Sequence, residues 1–326
     1  MSEAGTMTRP NLGAAGERLL RHWDRAVVPL IFLVMVIAFY AADRNYLSAT
    51  NIINVLNQVS ILSVVAVGAS IVIFAGGFDL SAGAVVALSG VVGALTVEYT
   101  GSVPFAVAAG IAAGLAVGLV NGFVVGYLNV SPLIVTLGSL NMARGLALIF
   151  SGGTAIYSFP FSYTDFGTSR LFGLPTLAVI AFLLFLAMAL IIRFTPFGLY
   201  LYAVGGNPRA AKISGIDVPA MRMIAFAISG ATCGLAGMLL AARTGGGEPA
   251  AGVLYELEAI AAVILGGAAL HGGEGQLWRS MMGVLLLGSL GNGLNIIGIH
   301  PHWKGVAIGA ILVIAASLDA IKRRSQ

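Results

Sequence analysis

The sequence predicts an all-α fold, a polytopic transmembrane helical bundle of about ten spans. Three observations carry that prediction. Hydrophobic residues fill 58% of the 326 positions and charged residues only 9%, with a mean hydropathy of +0.97, more apolar surface than a soluble core can hide. The apolar residues recur in runs near the roughly 20 that a helix needs to cross a bilayer, without the alternation of a barrel strand. The basic residues stand at the ends of those runs, where they orient a chain in the membrane, so the net charge of +4 implies a lipid bilayer and no nucleic acid as partner.

Taken in order, residues 1 to 25 form a polar segment with Arg9, Arg18, Arg21 and Arg25 ahead of the first apolar run. A cleaved signal peptide is the competing reading, but the polar lead is long for one and no clear small-residue cleavage site precedes Asp43. The segment therefore reads as cytoplasmic. Apolar runs follow at 26 to 42, 52 to 75, 82 to 98, 103 to 127, 132 to 150, 173 to 193, 219 to 242, 257 to 270, 277 to 299 and 303 to 320, making 26 to 320 a single transmembrane domain. With an even number of spans, Lys322, Arg323 and Arg324 of the tail 321 to 326 return to the cytoplasm, joined by Arg193, Arg209, Lys212 and Arg222. The opposite side keeps Arg44, Arg170, Arg243 and Lys304, and this bias supports cytoplasmic N- and C-termini. The third and eighth runs are short, rich in Ala and Gly, and the weakest spans. The 44 glycines suit close approach of membrane helices. Cys233, the lone cysteine, lies within an apolar run and reads as a buried side chain.

The connections carry their own signals. The outward loop 151 to 174 holds Tyr157, Phe159, Phe161, Tyr163 and Phe166, either anchors in the headgroup layer or a contact surface for a soluble partner. The outer segment Thr244 to Leu254, with Gly245-Gly246-Gly247 and Glu248-Pro249, is expected to be flexible. On the cytoplasmic side, 194 to 218 is a long polar interruption, predicted as a loop with a short helix. Asn207 suits an N-cap, Pro208 the first helical position and Gly215 the stop after Ser214. Such a helix, about two turns long, is unstable alone and needs something to pack on, the parent bundle or a separate subunit.

That stretch also carries a resemblance. Tyr202-Ala203-Val204-Gly205-Gly206-Asn207, with Ala210-Ala211 and Ser214-Gly215-Ile216, resembles the coupling loop of the ribose-type permeases of bacterial ABC importers. Three further motifs match in order: Gly76-Gly77-Phe78-Asp79-Leu80-Ser81; Pro132 to Gly138 with Arg144-Gly145; and Tyr255 to Val263 with Gly266-Gly267. Together they cover most of the chain. The resemblance implies an inner-membrane permease for a small neutral solute, most plainly a monosaccharide. It implies an ABC ATPase subunit docked on Gly205, Gly206, Asn207, Ala210, Ala211, Ser214 and Gly215, an extracytoplasmic solute-binding protein, and a second permease copy, identical or similar. Departures are Phe78 where Ile is usual, Ala82 where Val is usual, and Glu274 where a basic residue is common, which puts any family role at Glu274 in doubt.

Within the spans, ionisable groups are scarce. Asp79 precedes a predicted helix start, where it either caps free N–H groups or lines a solute path; Arg144 either pairs structurally or lines that path. Asn57, Gln58, Asn121, Asn141, Asn292 and Asn295 offer amides suited to hydroxylated solutes, although interhelical hydrogen bonding is their simpler role. Asn292 and Asn295, three apart, share a helix face. A faint echo pairs Gly76-Gly77, Asn121-Gly122 and Pro132 with Gly266-Gly267, Asn292-Gly293 and Pro301, at different spacings.

No enzymatic constellation is visible. None of Lys212, Lys304 and Lys322 follows a glycine, so there is no phosphate loop and ATP hydrolysis is expected in a partner. His300-Pro301-His302 reads as a turn rather than a metal site, and no metal or cofactor is implied. An ion-coupled secondary transporter is the alternative from another class, weakened because Asp79 stands nearly alone. Importers of nucleosides or branched-chain amino acids are the alternatives within the family.

Overall fold

The computed structural model describes residues 14–300, 302–310 and 313, with side chains from Val28 onward. The side chains of Arg9, Arg18, Arg21 and Arg25, Pro301, the tail 321 to 326 and most of the predicted last span lie outside the described residues.

Each predicted apolar run contains a helix. They are α1 (Ala14–Ala42), α2 (Ala49–Phe74), α3 (Ala82–Thr100), α4 (Val103–Gly126), α5 (Pro132–Ser151), α7 (Thr176–Phe194), α10 (Val218–Thr244), α11 (Tyr255–Leu265) and α12 (Leu277–Ile296), with a last helical stretch at 302–310. Between them lie α6 (Phe161–Thr168), the hairpin β1 (Arg170–Leu171) and β2 (Leu174–Pro175), and two helices, α8 (Pro196–Gly206) and α9 (Pro208–Ile213). Among the described residues six helices, α2, α3, α4, α5, α7 and α10, are long and apolar enough to cross a membrane. Side-chain caps start several: Ser48 accepts from the Asn51 N–H at 3.2 Å and Asp217 from the Ala220 N–H at 3.0 Å.

Helix α10 is the axis of the bundle, packed on α2, α3, α4 and α6. Its closest neighbour is α4, and glycine explains why: a Cβ at Gly114 would sit 2.3 Å from the Gly230 carbonyl oxygen, and one at Gly230 2.2 Å from that of Gly114. Backbone meets backbone along this seam. The inner helices α2, α3 and α10 are largely buried, whereas α4, α5 and α7 turn most of their apolar side chains outward.

The ends of the helices sort into two faces. On one, Gly273 N–H donates to the Phe74 carbonyl at 3.0 Å, Tyr202 hydroxyl to the Gly275 carbonyl at 3.0 Å, and Arg222 to Asn129 at 3.5 Å. On the other, Ile156 pairs with Gly247 in an antiparallel bridge and Arg243 donates to the Asn57 carbonyl at 3.1 Å.

Three expectations need correction. The eighth apolar run is not a full span: α11 has 11 residues, a rise of about 16 Å at about 1.5 Å per residue. The segment before it, Thr244 to Leu254, is packed rather than flexible. A Cβ at Gly247 would lie 2.5 Å from the Gly90 carbonyl oxygen and one at Gly252 2.6 Å from that of Gly83, so the segment runs down two turns of α3. Irregular backbone at this depth survives only where protein satisfies it, and Arg144 does so, its Nη1 donating to the carbonyls of Pro249 at 2.6 Å and Ala251 at 2.8 Å. Second, 194 to 218 is not a loop; it is mostly helical, in α8 and α9. Third, the aromatics of 151 to 174 are not all available at the surface. Tyr157 and Phe161 are exposed, but Tyr163 is buried and its hydroxyl donates to the Met238 carbonyl at 2.9 Å, tying α6 onto α10.

Candidate coupling surface and polar interior

The short helix α9 forms as its residues dictate. Asn207 is its N-cap, with Oδ1 accepting from the Ala210 N–H at 3.0 Å; Pro208 is in the first turn; and Gly215, at φ +84°, reverses the chain after Ser214. Of the predicted docking residues, Gly206, Asn207, Ala210, Ser214 and Gly215 are exposed. Gly205 and Ala211 face inward. A Cβ at Gly205 would lie 2.0 Å from the Phe74 carbonyl oxygen and 2.5 Å from the Gly273 nitrogen, so this glycine locks α8 to the end of α2. Sequence reasoning missed Ile213, an apolar side chain 88% exposed at the tip of α9. The signal was available: an isoleucine in a polar turn. Beside α9, burial raises the Tyr202 phenol above its ordinary pKa, in keeping with its role as donor to Gly275.

Asp79 is buried at 4% exposure and sits at the centre of a hydroxyl and amide network. Its Oδ1 accepts from the Ser81 N–H at 3.0 Å and the Ser81 hydroxyl at 2.5 Å, and Oδ2 accepts from the Ser229 hydroxyl at 2.7 Å. Asn121 donates to Ser81 Oγ at 3.1 Å and accepts from the Ser139 hydroxyl. The cluster joins the α2–α3 turn to α4, α5 and α10, with both oxygens of the carboxylate committed to donors. Ser139 and Ser229 were not singled out from the sequence, because serines on separate helices show no pattern until the helices pack.

The other candidates separate. Arg144 holds the segment after α10. Asn141 is exposed on the outward surface of α5 and donates to its own helix at Leu137, 3.0 Å. Asn292 forms a reciprocal amide pair with Asn51, at 2.9 and 3.0 Å, fastening α12 to α2. Its neighbour Asn295 instead lines a cavity of about 190 Å³ with Gln58, Arg243, Tyr255, Glu258 and Lys304. There Lys304 Nζ grips the Glu258 carboxylate at 2.8 and 2.9 Å. The sequence echo has no structural counterpart among the described residues: Asn121 binds the start of α3, whereas Asn292 binds the start of α2.

The chain matches the family model described as branched-chain amino acid transport system, permease component, over residues 51–316. It is 38% identical over 291 residues to the ribose import permease protein of Bacillus subtilis (strain 168), covering 89% of this chain and 90% of that one. To the L-arabinose transport system permease protein of Escherichia coli (strain K12) it is 35% identical over 306 residues, covering 94% and 93%. The D-allose transport system permease protein of the same organism is 34% identical over 302 residues, covering 92% of each. No solved structure matches. From these matches, and from a bundle of apolar helices around a buried polar network, the chain belongs to the transport-system permease component family and is a multi-pass protein of the bacterial inner membrane.

Proposed function

We propose that this chain is the membrane subunit of an ATP-driven importer for a monosaccharide, working with a cytoplasmic ATPase, an extracytoplasmic solute-binding protein and a second permease copy. The single observation that carries the coupling role is α9: a capped helix too short to be stable alone, presenting the exposed Ile213 between Lys212 and Ser214 while Ala211 anchors it to the bundle. An apolar tip on a polar surface fits a groove in a partner. The printed substrates of the relatives, ribose, L-arabinose and D-allose, support a sugar as the solute.

In this reading the face bearing α8 and α9 is cytoplasmic, the chain crosses the membrane about ten times, and both termini lie inside. When the ATPases close on ATP, α9 is displaced; it leads into α10 through the turn ending at the Asp217 cap, and the preceding α8 is locked to α2 at the Gly205–Phe74 contact. Motion at α9 therefore reaches the axial helix and its neighbours together. Asp79, saturated by hydroxyl donors, acts as a rivet in the moving body rather than as a proton carrier, which weighs against an ion-coupled transporter.

The test is recovery of partners with the tagged chain from its native membrane, combined with sugar uptake in vesicles. An ATPase and a binding protein in the eluate, and uptake that needs ATP, are expected. A chain recovered alone and active under an ion gradient would overturn the importer reading.

A further inference from the structure

We infer that the two permease copies face each other across one flank of α5 and the irregular segment before α11, and that Val253 and Leu254 of each copy form an apolar gate in the path between them; this rests on the importer reading above. The depth of the segment is set by its neighbours. Asp79, beside the start of α3, accepts from Ser229. Ser229 stands twelfth of the 27 residues of the apolar helix α10, about 17 Å from one end and about 23 Å from the other at about 1.5 Å per residue. Gly252 packs on Gly83, at that same start of α3, and Gly247 on Gly90, two turns further along. The chain therefore leaves the end of α10 at Thr244 and descends as irregular backbone to the middle of the bundle before α11 begins at Tyr255.

One side of that descent is covered by α3 and by Arg144. The other is open: Glu248 and Ala250 are exposed, Val253 is 59% exposed and Leu254 44%. One turn before Arg144, on the same flank of α5, the exposed Asn141 has no partner off its own helix among the described residues. Irregular backbone, an amide and a carboxylate within the apolar height of the bundle do not face hydrocarbon; they need protein or water against them. In the proposed assembly the binding protein lies outside and the ATPase on the α8–α9 face, so the cover at mid-bundle is the second copy, with water between the two where Glu248 projects. Gly138 and Gly145, on either side of Asn141, leave open space where a Cβ would stand, which lets the second α5 come close. Leu254 marks the narrow point. It holds φ +69°, a left-handed conformation uncommon for residues other than glycine, and such outliers persist where the surrounding structure imposes them, at clamps and switches. The strained backbone turns an apolar side chain outward beside Val253, deeper than Glu248. Two copies bring these side chains together, and an apolar constriction stops a hydrated solute by dewetting.

The lone native cysteine, Cys233, is buried, so single thiols can be placed in the otherwise native chain. Asn141→Cys and Val253→Cys are introduced separately, with Phe182→Cys, 59% exposed on α7, as control. The variants are assembled with their ATPase in vesicles and treated with a short bifunctional methanethiosulfonate. A residue beside a two-fold axis meets its own counterpart, so both test variants should move most of the chain to the dimer position on a non-reducing gel while Phe182→Cys stays monomeric. The gate is read separately, as efflux without ATP of whichever of D-ribose, L-arabinose and D-allose the unsubstituted complex takes up with ATP. Leu254→Gly removes the side chain and suits the left-handed backbone. Efflux through it and through Val253→Ser should rise about tenfold or more, whereas Leu254→Met stays near the unsubstituted rate. Monomer in both test variants, with ATP-driven uptake intact in the same vesicles, would overturn the face and leave the importer standing. Unchanged efflux in both Leu254→Gly and Val253→Ser would overturn the gate. Absence of uptake of all three sugars by the unsubstituted complex would instead overturn the sugar importer, and the cross-links would still decide the face.

Discussion

Arg144→Met tests how the irregular segment between α10 and α11 is held. The arginine supplies hydrogen bonds of 2.6 and 2.8 Å to the Pro249 and Ala251 carbonyls, in a segment where Gly247, Pro249 and Gly252 are buried against α3. Methionine fills the volume of the stem but donates nothing. A buried polar group left unsatisfied costs about 1–3 kcal/mol, so two carbonyls lose about 2–6 kcal/mol of local stability. At about 1.4 kcal/mol per tenfold, the lower bound corresponds to about a 30-fold rise in the population of the opened segment. Hydrogen exchange read by mass spectrometry on the peptide spanning 245 to 254 measures this directly, in the detergent-solubilised or nanodisc-embedded chain. Exchange in that peptide should accelerate by at least this factor, with the α4–α10 seam unchanged, and Arg144→Lys should fall between, since an ammonium donates but lacks the fork. Equal exchange in Arg144→Met and the unsubstituted chain would show that the two carbonyls are satisfied otherwise and refute the reasoning.

Further outcomes follow from the same geometry. Gly114→Val places a side chain where Cβ already lies 2.3 Å from the Gly230 carbonyl oxygen, so the folded fraction in size-exclusion chromatography should collapse; a normal monodisperse peak would count against the backbone seam. Asn207→Ala removes the cap of α9, at about 0.5–2 kcal/mol, and should reduce coupled uptake more than expression. Ile213→Asp should lower ATPase recovery in the pull-down without altering thermal stability, and undiminished recovery would move the docking surface elsewhere. Ser229→Ala strips one donor from Asp79 and should lower the melting temperature by more than it changes the preference among sugars; a changed preference with unchanged stability would make Asp79 part of the path.

Two kinds of information were legible along the chain. Local chemistry set the helices: Asn207-Pro208 and Gly215 bracket α9, and the long apolar runs became helices because a bilayer leaves the backbone no other way to satisfy its hydrogen bonds. The motif order identified the family, which the ribose, arabinose and allose permeases confirm over nine tenths of the chain.

The rest needed the third dimension, because it depends on contacts between residues far apart in sequence. Nothing near Thr244 to Leu254 announces that Arg144, more than a hundred positions earlier, will satisfy its carbonyls, so a glycine-rich packed segment looked like a flexible one. Ser139 and Ser229 are unremarkable until the helices pack and join them to one carboxylate, Ser229 directly and Ser139 through Asn121 and Ser81. Asn292 and Asn295 share a helix face, yet one is consumed by Asn51 and the other opens into a cavity beside Glu258 and Lys304. Sequence determines which segments are helical and what chemistry each carries; which polar groups neutralise one another, and which are left to meet a solute, is decided only when the helices pack.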